Sequence, residues 1–256
     1  MPARTPVVAG NWKMNPTSRA AALALARDCA AIADRVRDAI AIVCPPTIYL
    51  PDIAAAVGDT RLRVGAQTMA AEERGAFTGE TSPLMLDGVA EFVIIGHSER
   101  RRYDGETDES VARKVASAIA HGLRPIAAIG ERLEERHAGH THAVCARQLR
   151  AAISRVDGLA GSGLVIAYEP VWAIGTGEAA SPDDAQAVAA QIRAVLAEQD
   201  PAAAEDVPIL YGGSVTDDNA LDFFNCPDVD GALVGGASLD PAAFGRIVAA
   251  AAASTT

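Results

Sequence analysis

Hydrophobic residues in this chain arrive in short unbroken runs, separated by longer stretches of helical spacing. The runs are Val7–Gly10, Ile40–Cys44, Leu62–Ala66, Phe92–Ile95, Pro125–Ile129, Leu164–Tyr168, Ile209–Tyr211 and Gly231–Val234. They do not alternate apolar with polar residues, which marks strands buried on both faces, as in parallel sheets. Between them, Ser18–Val36 and Gln186–Glu198 are alanine-rich with apolar residues three and four apart, which predicts amphipathic helices. Helix starts are marked by cap chemistry. Ser181-Pro182-Asp183-Asp184 and Asp240-Pro241 each offer a capping side chain followed by proline, and Thr216-Asp217-Asp218 predicts a further start after the seventh run.

Eight strands, each followed by a helix and with no linker between units, predict a parallel α/β sheet. Eight such units in 256 residues match a closed barrel, a single (βα)8 domain over residues 1–256. The alternative, an open doubly wound sheet, calls for a glycine fingerprint after the first strand, where Gly10-Asn11-Trp12-Lys13 stands instead.

Composition narrows the function. Half of the residues are hydrophobic, enough for a substantial core, which excludes a disordered chain or a small disulfide scaffold. A net charge of -11 and a pI near 4.9 argue against nucleic acid and anionic membrane surfaces as partners. No apolar run reaches the roughly 18 residues of a membrane span. Met1–Thr5 leads straight into the first strand without a signal-peptide core, so a cytoplasmic protein is expected. Cys29, Cys44, Cys145 and Cys226 form no CxxC and are expected to be reduced and mostly buried. Of 22 basic residues only Lys13 and Lys114 are lysines. Arginine and lysine are not interchangeable where geometry is tight, so each lysine asks for a reason.

In such a barrel, chemistry belongs at the C-terminal ends of the strands. Asn11 and Lys13 follow the first run, His97 and Glu99 the fourth, Glu169 the sixth, Ser214 the seventh, and Gly235 and Gly236 the eighth. Glu169, beside Val171, Trp172 and Ile174, predicts a base whose pKa is raised by desolvation. Pro170–Gly177 reads as a lid over it. His97 opens a helical turn, where the dipole favours the neutral ring. Lys13 suits an anion as a point charge, with Glu99 to position it. The glycine pairs at Gly212-Gly213 and Gly235-Gly236 let backbone amides approach phosphate. Other readings carry less. Gly96-His97-Ser98 lacks the closing glycine of a nucleophile elbow. His137, His140 and His142 read as a solvated helix face, and no metal is expected. Arg100-Arg101-Arg102, followed by Asp104, Glu106 and Asp108, reads as a salt-bridged rim.

Together, Asn11-Trp12-Lys13-Met14-Asn15, Gly96–Arg101, Tyr168–Gly177, Tyr211-Gly212-Gly213-Ser214 and Gly231–Ser238 closely resemble, in order, the motifs of the triosephosphate isomerase family. The resemblance spans essentially the whole chain and implies a TIM barrel. It implies interconversion of dihydroxyacetone phosphate and glyceraldehyde 3-phosphate without a cofactor. By the same resemblance Glu169 moves the proton, neutral His97 polarises the substrate oxygens, and Lys13 and Asn11 stabilise developing charge. Gly175, Ser214, Gly235 and Gly236 hold the phosphate. Ala128, Thr68 and Glu178 depart from common family residues at positions without an assigned chemical role. Another sugar-phosphate isomerase barrel, or a silent phospho-ligand binder, would share the glycine loops without needing the lysine, histidine and glutamate together. Gly75–Glu80 is long and apolar for a simple turn. The resemblance implies a homodimer in which this loop, through Thr78, crosses into the second subunit.

Overall fold

The computed structural model describes residues 4–174 and 180–254. Eight strands close into a parallel barrel in chain order: β1 (Val7–Asn11), β2 (Ile40–Cys44), β3 (Arg63–Ala66), β4 (Phe92–Ile95), β5 (Arg124–Ile129), β6 (Val165–Tyr168), β7 (Ile209–Tyr211) and β8 (Gly231–Val234). Val7 to Gly10 of β1 pair with Gly231 to Val234 of β8, so no sheet edge is left. The predicted runs match these strands to within a residue or so at either end.

Each apolar run is divided between two cores. Val7, Ala9, Ile42, Phe92, Ile94, Ile126, Val165, Ala167, Leu210 and Leu233 fill the barrel interior. Their neighbours Val8, Val43, Val93, Ile95, Ala127, Ile166, Tyr211 and Val234 pack outward against the helices. Both faces are apolar, which is why no alternation appears in the sequence.

The helix predicted over Ser18–Val36 runs Arg19–Ala33, with the Ser18 hydroxyl accepting the Ala21 amide. Pro182–Gln199 is capped by a reciprocal Ser181–Asp184 box, and Pro241–Ala253 by Asp240, which accepts the Ala242 and Ala243 amides. Two expectations change. The start predicted at Thr216 falls short, because Thr216 is held in a turn by the Asn219 side chain and the helix covers Ala220–Phe224. After β3 the helix is a single turn, Pro83–Leu86, and the residues before it form a long loop pinned by Ala70 N–H to the Thr81 carbonyl. Ala128, near the end of β5, is fully buried.

Candidate active site

The strands aim their end residues by simple alternation. Inward-facing Val7 and Ala9 are followed two residues on by Asn11, and Val165 and Ala167 by Glu169. The same step carries Leu210 to Gly212 and Leu233 to Gly235. These four end residues, with Lys13, His97, Ile174 and Gly213, line one small cavity at the C-terminal mouth. Residues up to 224 positions apart in the chain thus meet because the barrel closes.

His97 and Glu169 are both buried and in direct contact, His97 Nε2 to Glu169 Oε1 at 2.9 Å. The other carboxylate oxygen accepts the Ser98 amide at 2.9 Å. His97 is also the cap of the helix Ser98–Tyr103, its Nδ1 accepting the Glu99 amide at 3.2 Å. An accepting Nδ1 carries no proton, which leaves the proton of the neutral ring on Nε2, facing Glu169. Burial disfavours imidazolium, but the Glu169 charge outweighs it and sets the His97 pKa above the ordinary value while the two are paired. The sequence predicts a raised Glu169 pKa, and the structure reverses that direction. Desolvation is still the largest influence, yet His97, the Ser98 amide and Lys13 together hold the carboxyl below its usual range.

Lys13 has a left-handed backbone, φ 51°, a conformation no other described non-glycine residue adopts. Such a residue costs roughly 1–2 kcal/mol and needs support. Its amide donates to Asn11 Oδ1 at 3.0 Å, and its carbonyl accepts Gln67 Nε2 at 2.8 Å. The side chain crosses the mouth, Cε passing 3.9 Å from where a Cβ on Gly235 would stand, and Nζ donates to Glu99 Oε1 at 2.6 Å.

At the C-terminal end of β6, Trp172 Nε1 donates to Glu131 Oε1 at 2.8 Å, and Tyr168 Oη donates to the same oxygen at 3.2 Å. Arg136 lies over the Trp172 ring at 4.2 Å and bonds Asp184, in the first turn of Pro182–Gln199, at 2.9 Å. Burial pushes the Tyr211 pKa up to about 12, partly opposed by the Ala180 amide that its hydroxyl faces. Ser214 and Gly236 are exposed at the rim and Gly235 half-buried. Gly175 and Glu178 lie outside the described residues.

Four polar residues not foreseen in this role hold the surroundings of the site, Glu131 through the Tyr168 and Trp172 side chains, and Gln67, Glu106 and Gln148 through the backbone at Lys13, Gly96 and Gly130. Three of them are buried, and no pattern in the sequence names their partners. The Arg100–Arg102 rim is salt-bridged, Arg100 to Asp104 at 3.2 Å and Arg101 to Asp108 at 2.7 Å. Among the described residues no three His, Cys, Asp or Glu side chains gather as metal ligands, and no helix is long and apolar enough to cross a membrane. The four cysteines are unpaired.

A carboxylate against a helix-capping histidine, with a lysine beside them at a barrel mouth, has the chemistry to move protons next to an anion-attracting wall. The family model for triosephosphate isomerase matches residues 6–251. The triosephosphate isomerase of Chloroflexus aurantiacus is 51% identical over 247 residues, 96% of this chain and 98% of its own. That of Symbiobacterium thermophilum is 51% identical over 251 residues, and that of Vibrio cholerae 49% over 253, each covering 97% of this chain and 98% of the relative. With the barrel, the site and these relatives in agreement over nearly its full length, the chain belongs to the triosephosphate isomerase family.

Proposed function

We propose that the family's reaction, interconversion of dihydroxyacetone phosphate and D-glyceraldehyde 3-phosphate, is carried here by Glu169, His97, Lys13 and Asn11. The observation that carries the assignment is the buried His97–Glu169 contact at 2.9 Å with Lys13 on the same cavity wall. Nothing fits between groups that close, so substrate enters by turning the Glu169 carboxylate from His97 to carbon. The carboxylate removes a proton, giving an enediolate, and returns it to the adjacent carbon. Once Glu169 has turned away, the carboxylate that supported imidazolium is gone and the Glu99 amide on Nδ1 favours the neutral ring. His97 then donates from Nε2 to the substrate oxygens. Lys13 and the Asn11 amide nitrogen face the developing charge. Main-chain groups of Gly175, Ser214, Gly235 and Gly236 hold the phosphate, and no cofactor takes part. A coupled assay with dihydroxyacetone phosphate tests the reading. Glu169→Gln should lose about 10²–10⁴-fold in kcat, as loss of a general base does, and a loss under tenfold would defeat it.

The whole chain, 1–256, acts as one catalytic unit and as a homodimer. Six of the eight large apolar side chains exposed among the described residues are Met14, Ile48, Phe77, Leu84, Met85 and Tyr103. They follow β1, β2, β3 and β4, neighbours around the barrel, whereas Leu133 and Leu221 stand apart. Such a one-sided apolar set favours a self-complementary two-fold contact. The Thr78 loop would enter the partner beside Asn11 and Lys13. Free cysteines fit a reducing compartment, in keeping with the cytoplasm.

A further inference from the structure

Lys13 stands at the barrel mouth; the chain's second lysine does not. Lys114 lies on the helix Asp108–Ala120, its side chain only 12% exposed. Its Nζ donates to Glu106 Oε1 at 2.5 Å and lies 3.5 Å from Thr68 Oγ1. The Glu106 side chain is 5% exposed, and its second oxygen, Oε2, accepts the Gly96 amide at 3.0 Å. Gly96 has φ 76°, and its carbonyl accepts Arg101 Nε at 2.8 Å. A Cβ on Gly96 would stand 3.0 Å from Val111 and 3.1 Å from both the Ala128 carbonyl and Arg101. The residue immediately before His97 is therefore gripped at both ends by charged side chains, in a backbone conformation that leaves it little room to move.

We propose that Lys114 and Glu106 are positioning residues for His97. The ammonium fixes the Glu106 carboxylate, the carboxylate fixes the Gly96 amide, and the turn so anchored aims the His97 ring into the cavity. A compact ammonium suits the place between Glu106 and Thr68, and Arg100 Nε, 3.7 Å from the same carboxylate oxygen, flanks it. A buried carboxylate demands such partners, because removing one leaves an uncompensated charge. Neither residue touches the cavity, so the effect must travel through the position of His97. This inference rests on His97 being the group that polarises the substrate.

The test is steady-state kinetics with dihydroxyacetone phosphate on wild type, Lys114→Met, Lys114→Arg, Glu106→Gln and His97→Gln. Thermal unfolding and imidazole resonances of ¹⁵N-histidine-labelled protein accompany it. Lys114→Met should lower kcat about ten- to a hundredfold, the scale of a displaced catalytic group, while KM stays within about twofold, because the phosphate loops after β7 and β8 are untouched. The His97 resonances should move, and Lys114→Arg, which keeps the charge but not the compact ammonium, should recover kcat only in part. Glu106→Gln should lower kcat with KM unchanged. A folded Lys114→Met with wild-type kcat and unmoved His97 resonances would overturn the proposal. If Lys114→Met does not fold, the same result in Glu106→Gln overturns it. An unaltered kcat in His97→Gln would instead defeat the role of His97 itself, so the two failures are distinguishable.

Discussion

Gly130→Ala places a methyl group between the ends of β5 and β6, next to the proposed base. A Cβ on Gly130 would lie 1.7 Å from the Glu169 carbonyl oxygen and 2.6 Å from its carbonyl carbon. These are backbone atoms, and real Cβ contacts under 3.0 Å are essentially never seen. The two strand ends must part by at least roughly 1.3 Å, a misplacement that costs on the order of 10²-fold in rate. They resist parting, since the Glu169 amide donates to the Ile129 carbonyl at 2.7 Å and the Gly130 amide to Gln148 Oε1 at 2.7 Å. The strain should also cost stability, about 1–3 kcal/mol for an overpacked site. Kinetics should therefore show kcat reduced about a hundredfold in a protein that still unfolds cooperatively. Gly139→Ala is the control. Gly139, unlike Gly130, has a positive φ, 72°, but there is open space around its Cβ position. It should lose about 1 kcal/mol of stability with unchanged kcat. A folded Gly130→Ala enzyme with kcat within threefold of wild type would refute the claim that this close approach sets the base.

Lys13→Met should lose several kcal/mol of transition-state stabilisation, roughly 10²-fold or more in kcat/KM, and Lys13→Arg should also be impaired; a near-wild-type kcat/KM in Lys13→Met would contradict its role. The His97–Glu169 pair should stabilise the unliganded fold in a defined pH window. Glu169, held below its ordinary 4.5, contributes above that value and loses its contribution as pH falls through the lowered pKa. His97, raised above its ordinary 6.5, contributes fully below that value and loses its contribution as pH rises through the raised pKa. Denaturant titrations of wild type and Glu169→Gln should therefore differ more at a pH between these values than in alkaline buffer, and a pH-independent difference would count against the pairing. Thr78→Arg should yield a folded monomer of low activity, read by sedimentation and assay on one sample, and a fully active monomer would refute the cross-subunit role.

The eight apolar runs, the barrel and most of the residues that line the cavity at its mouth were legible in the sequence. Strands buried on two faces must be continuously apolar, and chemistry at strand ends must interrupt that apolarity with Asn11, Glu169 or glycine. Cap chemistry was legible for the same local reason at Ser181 and Asp240, but not at Thr216, where the Asn219 side chain competes for the turn. What a continuous apolar run does not encode is which face each residue takes. Only closure of the barrel decided that Val7, Ala9 and Asn11 point inward while Val8 points out. Closure likewise set Glu169 against His97, reversing the pKa direction that burial alone predicts. It brought Gln67 to the strained Lys13 across 54 residues and Trp172 to the Glu131 carboxylate across 41. Local preferences and burial patterns act within a few residues and are written in the chain. The strength of a polar contact depends on distances between side chains far apart in that chain, which exist only once the sheet has closed.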